Sequence, residues 1–245
     1  MREMASTIVG LSDDQREALT AYAAKAAWPS GFAIYQRDSA ADGVFIVVRG
    51  RVVLRSRVRA GRGFVPWIAT RGETFGSEGL FPGGHYVTDA RAEDECETLF
   101  LSSTRFRAFV REQPQHAIAL FSQLMAERAT LLDKLRELTT LSVEQRIVAT
   151  LRRLAHTDIF AGPDGRTILC PQQYRLLCEL VGATRESVSL VLARLASEGL
   201  VERQGTTLIV APLPDVLERT DFPRSDIELP IAGLEQNSAR NHSLS

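Results

Sequence analysis

Gln173-Tyr-Arg-Leu-Leu-Cys178-Glu-Leu-Val-Gly182-Ala-Thr-Arg185-Glu-Ser-Val-Ser189-Leu-Val-Leu-Ala-Arg194-Leu-Ala-Ser-Glu-Gly199-Leu-Val201 has the pattern of two helices meeting at a tight turn. Leu176, Leu177 and Leu180 recur at helical spacing and turn one face of the first helix inward. Cys178 is small where two helices cross closely, and Gly182 has the backbone freedom that the turn needs. Thr184 carries the hydroxyl of an N-cap, with Ser187 three residues on. Val188, Val191, Leu192 and Leu195 then give the second helix a buried face of its own. Arg185, Glu186 and Ser189 are left pointing outward from its first turns.

Those three side chains suit the reading of base edges. Arginine pairs bidentately with guanine O6 and N7, glutamate accepts from cytosine N4, and serine makes short adaptable contacts. The N-terminal turns of a recognition helix are also the part that enters the major groove. An exposed Arg-Glu pair by itself would be an ordinary solvated helix start. Here turn glycine, cap and a following hairpin through 201–210 stand in register, the order of a winged helix-turn-helix. Thr184, Ser187, Arg203 and Gln204 are the candidates for contacts to the DNA backbone.

Upstream, 104–141 is glycine-free, interrupted only by Pro114, and helical in spacing. Ile118, Phe121, Met125, Leu132 and Leu135 form one apolar stripe, interrupted by Arg128, while Leu120, Leu124, Leu131 and Leu138 form another beside it. One stripe seats the helix on its own domain, and the other calls for a partner. A helix of about 25 residues is about 38 Å long, which suits the spine of a homodimer better than the core of a small monomer. The first stripe is therefore the expected dimer interface. A further helix over 143–155 and a Gly162-Pro-Asp-Gly165 turn lead into the helix-turn-helix.

From 32 to 101 the texture is one of short strands punctuated by glycines. Val44-Phe-Ile-Val-Val48 and Val52-Val-Leu54 flank Arg49-Gly50-Arg51, the pattern of a hairpin. In the second of these Val53 breaks the alternation. Further strands are expected at 64–69, 87–92 and 97–101, giving a sandwich or barrel-like roll. Before it, Leu11-Ser-Asp-Asp-Gln15 looks like a capped helix start, with the helix ending before Pro29. The fold class is α+β, with a β-roll over 1–103, a dimerisation helix region over 104–141, a winged helix-turn-helix over 142–212 and a tail, partly disordered, over 213–245.

Bulk properties limit the function classes. A chain of 245 residues accommodates two small domains, and 44% hydrophobic with 24% charged residues is the balance of a globular protein. The net charge of −1 is not that of a generally basic nucleic-acid binder, so any DNA-binding surface depends on locally placed arginines. Cys96, Cys170 and Cys178 form no CxxC pair and an odd set, which suits reduced thiols. No apolar run reaches the roughly 18 residues that span a bilayer, and no secretory signal opens the chain, so the expected address is cytoplasmic with no membrane partner. There is no P-loop, GxSxG, HExxH or CxxC, so the chain is not expected to be an enzyme.

The order of elements over about residues 10–212 resembles the CRP/FNR superfamily of bacterial transcription regulators. The resemblance is carried by Gly43-Val-Phe-Ile-Val-Val-Arg-Gly50-Arg-Val-Val-Leu54, Phe75-Gly76-Ser-Glu-Gly79-Leu-Phe81, and Thr184-Arg-Glu-Ser-Val-Ser189 followed by Arg194-Leu-Ala-Ser-Glu-Gly199-Leu. It implies a cyclic-nucleotide-binding-type β-roll, a dimer on a near-palindromic DNA site, and base reading at Arg185, Glu186 and Ser189. Contact with RNA polymerase at some promoters is also implied, with activation or repression set by promoter geometry. Where the family usually has another base-reading arginine, this chain has Leu190.

The same resemblance bears on the effector. In cAMP-binding members a glutamate after the glycine holds the ribose, an Arg-Ser pair clamps the phosphate, and two helix hydroxyls read the adenine. Here the matching positions are Ser77, with Glu78 displaced by one, then Tyr86 and Val87, then Leu132 and Asp133. These six residues make up the candidate effector pocket. A phosphate buried without an arginine and beside Asp133 lacks charge compensation, so tight cAMP binding is not expected. No cysteine precedes Cys96, which excludes the family's usual iron–sulfur cluster. The expectation is a regulator with no cofactor and no metal, either independent of an effector or answering an unidentified ligand. The alternatives are a haem- or redox-responsive member, with His85, His116 and Cys96 as ligand candidates, and a ligand-binding module acting through protein partners.

Overall fold

The structure, a computed structural model, describes residues 13–57, 63–155, 160, 162 and 166–211, all within one compact unit, Met1–Leu213. The Ser12 cap, most of the Gly162–Gly165 turn and the tail lie outside the described residues. Helix α1 (Asp13–Thr20) is followed by strands β1 (Ala24–Trp28), β2 (Ala33–Tyr35), β3 (Gly43–Arg49), β4 (Val52–Arg57), β5 (Gly63–Ala69) and β6 (Thr74–Phe75). A 3-10 turn (Ser77–Leu80) precedes β7 (Asp89–Ala92) and β8 (Cys96–Ser102). The strands form two four-stranded antiparallel sheets, β1-β8-β3-β6 and β2-β7-β4-β5. This is the roll expected from the sequence.

Residue alternation explains how β3 is buried on both faces. Phe45 and Val47 enter the core between the sheets, with Val52, Leu54 and Phe75. Val44 and Ile46 turn the other way, onto Phe109, Ala117 and Leu120 of the helices. A period of two splits one apolar run between two cores. Close approach matters at Gly79, where a Cβ would run into the backbone of Gly43.

Two expectations need correction. The helix at the N-terminus stops at Thr20, and Ala24–Trp28 is a strand paired with β8, its Trp28 Nε1 donating to Thr98 Oγ1 at 2.9 Å. The alanine-rich stretch has little strand preference of its own, and pairing overrides it. β3 and β4 also do not form a hairpin. Gly50, at φ +79°, passes the chain from one sheet to the other.

Helices α2 (Ser103–Glu112) and α3 (Pro114–Thr140) follow, Pro114 starting α3 where no N–H partner is needed. Then come α4 (Val143–Ala155), β9 (Thr167–Leu169), α5 (Pro171–Val181), α6 (Arg185–Ser197), β10 (Val201–Gln204) and β11 (Thr207–Val210). The wing is a three-stranded sheet, β10-β11-β9, so it gains one strand over the hairpin read from sequence. Among the described residues no helix is long and apolar enough to cross a membrane.

The roll and the helix-turn-helix share a core. Val53 and Val65, on the outer face of β4 and β5, are buried with Ile147, Leu151, Leu177, Val181 and Val188. That burial explains why Val53 breaks the alternation of its strand. Beside it Arg55 donates to Glu179 Oε2 through Nε at 3.0 Å and through a terminal nitrogen at 2.7 Å.

Candidate nucleic-acid interface

The helix-turn-helix is built by local chemistry. Gly182 ends α5 at φ +68°, a left-handed conformation that favours glycine, and its N–H returns to the Cys178 carbonyl at 3.0 Å. Thr184 caps α6, its Oγ1 accepting from the Ser187 N–H at 3.2 Å and lying 3.1 Å from the Ser187 hydroxyl. Val188, Leu192 and Leu195 are buried and Val191 is half-buried, so α6 is seated by the face predicted for it. Arg185, Glu186 and Ser189 are exposed on the opposite side.

The N-terminus of α6 also sets the charge of Glu186. Its own backbone N–H, then the Thr184 side chain, hold the carboxyl below the ordinary carboxylate range. At neutral pH it is an acceptor, as pairing with cytosine N4 requires. Tyr174 of α5, which the sequence pattern did not single out, donates its hydroxyl to the Arg185 carbonyl at 3.2 Å. Arg194 is occupied by Glu144 of α4 and by Glu198. Both contacts tie α6 to its neighbours and fix the direction in which its first turn points.

Among the backbone candidates, Thr184 and Ser187 are engaged in the cap, while Arg203 and Gln204 are exposed on β10. Gln204 Nε2 donates to Glu202 Oε1 at 3.3 Å. On α3, Ile118, Phe121, Met125, Leu132 and Leu135 are 69%, 45%, 57%, 55% and 57% exposed, so one chain leaves most of the stripe uncovered, with Phe121 edge-on to Phe106. The companion stripe divides: Leu120 is buried, Leu124 and Leu138 are half-buried, and Leu131 is exposed.

The six candidate pocket residues separate into two groups. Ser77, Glu78, Tyr86 and Val87 gather at the 3-10 turn and the loop after it. Glu78 Oε1 accepts from the Val87 N–H at 3.4 Å, and Tyr86 is buried against Tyr35 with ring centroids 3.7 Å apart and planes 7° apart. Leu132 and Asp133 do not join them. Both are exposed on α3, Asp133 pairing with Arg136 at 3.6 Å. The inner face of α3 carries Ala117, Leu120, Gln123, Glu127 and Lys134 instead, and Leu132 and Asp133 fall on the other side of the helix.

Glu127 is the acidic residue of α3 that meets the roll. Its Oε1 accepts from the Ser77 hydroxyl at 3.1 Å and its Oε2 from Thr74 at 3.3 Å. Burial pushes its carboxyl up to about 7, with the Ser77 hydrogen bond opposing and the charge of Glu78 assisting. The adjoining cavity is about 20 Å³, lined by Trp67, Glu73, Thr74, Gln123, Ala126, Glu127 and Thr130, with two carboxylates and no lysine or arginine. His85 is exposed, His116 is half-buried in the first turn of α3, and Cys96 is buried at the start of β8. Burial pushes the Cys96 thiol up to about 11.

Comparison with known proteins agrees with this architecture. Residues 26–113 match the cyclic nucleotide-binding domain, and residues 145–220 match the Crp-like helix-turn-helix domain. The cAMP-activated global transcriptional regulator CRP of Salmonella typhimurium is 28% identical over 185 residues, 75% of this chain and 87% of that protein. Among solved structures, the c-di-GMP-responsive global regulator CLP of Xanthomonas campestris matches with a TM-score of 0.71 at 24% identity, over 82% of this chain and 99% of that one. A CRP/FNR-family regulator of Thermus thermophilus matches with a TM-score of 0.66 at 22% identity, over 76% and 93% of the two chains. The cAMP-activated global transcriptional regulator Vfr of Pseudomonas aeruginosa is 30% identical over 182 residues, 72% of this chain and 84% of that protein. With both domain matches in the family's order and a relative of that identity and coverage, the chain belongs to the CRP/FNR superfamily of DNA-binding transcription regulators.

Proposed function

We propose that the chain acts in the cytoplasm as a homodimer, joined along α3, that reads a near-palindromic operator with Arg185, Glu186 and Ser189 of each α6. The observation that carries this is the exposed Arg-Glu-Ser set on the capped first turns of α6, with the opposite face of that helix buried and Arg194 held by Glu144. Association along α3 is supported by five large apolar side chains left in a row on one face. An exposed apolar stripe of that kind, broken only by Arg128, marks an interaction site. Arg203 and Gln204 on the wing, with the α6 cap residues Thr184 and Ser187, are assigned to the phosphate backbone. RNA polymerase is the further partner wherever promoter geometry brings the dimer against it, and the same geometry sets activation or repression.

The regulator does not depend on cAMP. The relatives from Salmonella and Pseudomonas are cAMP-activated by name, but here the phosphate-side positions are Tyr86, buried in a stack with Tyr35, and an exposed Val87, and neither is a cation. The helix side adds a carboxylate where the ligand is an anion, and an unpaired charge of the same sign is costly to bury beside it. The chain is therefore independent of an effector or answers a ligand of other chemistry. A redox-responsive member is disfavoured by the buried Cys96, whose raised pKa keeps it a thiol.

Selection of bound fragments from random duplex DNA tests the reading. The wild-type chain is expected to enrich a palindrome. Arg185→Ala is expected to lose about 1–3 kcal/mol per contact and to relax discrimination at one position of each half-site. An unchanged preference in the variant would overturn the role given to Arg185.

A further inference from the structure

Leu190 is 74% exposed, the most exposed large apolar side chain among the described residues, and it belongs to none of the three buried clusters. It lies on α6 beside Ser189 and one helical turn after Glu186, on the side that also presents Ala193. Past the first turn the only cation of α6 is Arg194, held by Glu144 and Glu198. The outward surface of the helix is therefore charged at its tip, then small and apolar. A lone leucine between a serine, an alanine and a glutamate is too small an apolar surface to seat a protein partner.

The major groove has one apolar feature on its base edges, the 5-methyl group of thymine. We propose that Leu190 reads a thymine methyl group, selecting an A·T pair in each half-site where a basic side chain would select guanine. The inference rests on α6 being the helix that enters the groove. Four residues of helix advance about 6 Å, so the thymine lies within about two base pairs of the pair read by Glu186. Leucine offers no hydrogen bond, and the discrimination comes from removing one methyl group and the Leu190 side chain from water together. A methyl contact of that kind is worth roughly fourfold in affinity per half-site, or about fifteenfold when both half-sites of a palindrome are changed.

The test uses the full chain and duplexes selected from random DNA, with each thymine of one half-site replaced in turn by deoxyuridine, which lacks only the methyl group. Replacement at one position is expected to weaken wild-type binding by about fourfold. Leu190→Ala is expected to bind the thymine and deoxyuridine duplexes alike at that position, and its exposure means that no core is disturbed. Indifference of the wild-type chain at every thymine overturns the proposal, as does a penalty that persists unchanged in Leu190→Ala. Arg185→Ala on the same duplexes separates the two levels. If that variant relaxes discrimination elsewhere in the half-site while deoxyuridine has no effect, the thymine contact fails and α6 remains the reading helix. If neither variant changes any preference, both fail.

Discussion

Glu127 is an acid that folding places between two hydroxyls and the 3-10 turn, and burial raises its carboxyl from an ordinary 4.5 to about 7. The folded chain holds this proton more tightly than the unfolded chain does. Its contribution to stability is therefore complete below the unfolded value and is lost as pH rises through about 7. Above that range the ionised carboxylate costs on the order of 3 kcal/mol. Glu127→Gln keeps a polar group at the same place without the charge. Denaturant midpoints measured from about pH 5 to pH 8 should fall less steeply in the variant, which should be the more stable form at the alkaline end. Identical slopes would show that Glu127 does not ionise in this range. The α6 cap, the turn glycine and the outward Arg-Glu-Ser set were legible because each depends on neighbours three or four residues away. The Glu127 site was not, because it joins residues 50 and 53 apart in the chain. Alignment to the family's adenine-reading positions fell instead on Leu132 and Asp133.

At the scale of elements, α3 has two different faces. The inner one mixes Ala117 and Leu120 with the buried polar side chains Gln123 and Lys134. The outer one is the apolar row from Ile118 to Leu135, which the described chain leaves largely exposed, Phe121 alone of the five having a ring contact, with Phe106. Leu135→Asp places a charge in that row, and a dimer joined there would bury it twice. The cost of several kcal/mol is enough to separate protomers that associate at micromolar concentration. Sedimentation should report a monomer with unchanged helical content, since Leu135 is 57% exposed in the single chain. A variant that still sediments as a dimer would move the interface off this face. The stripe was legible from heptad spacing alone. Strand β1 was not, because its Ala-Lys-Ala-Ala-Trp sequence has no strand pattern and owes its conformation to pairing with β8.

At the scale of the molecule, the roll and the helix-turn-helix are coupled through apolar contact and charge. Val53 and Val65 share a core with α4, α5 and α6, and Arg55 reaches Glu179, which is also 3.6 Å from Arg175 on its own helix. The contact brings together residues more than a hundred positions apart, and only the misfit of Val53 hinted at it in the sequence. β4 and β5 thus pack directly on α5, and Tyr174 of α5 is hydrogen-bonded to the start of α6. The overall charge of −1 is no obstacle, because the arginines that matter are placed rather than numerous. The central claim is that two copies set their α6 helices in successive major grooves. Affinity for the selected operator as a function of the spacer between its half-sites tests this directly. In the helix-turn-helix class to which the catabolite activator belongs, half-sites lie about one helical turn apart, and that spacing is inherited here from the class. A sharp optimum at about one turn is expected, with an insertion of about five base pairs reducing binding to the non-specific level. Equal affinity at every spacing, or for an isolated half-site, would contradict the claim.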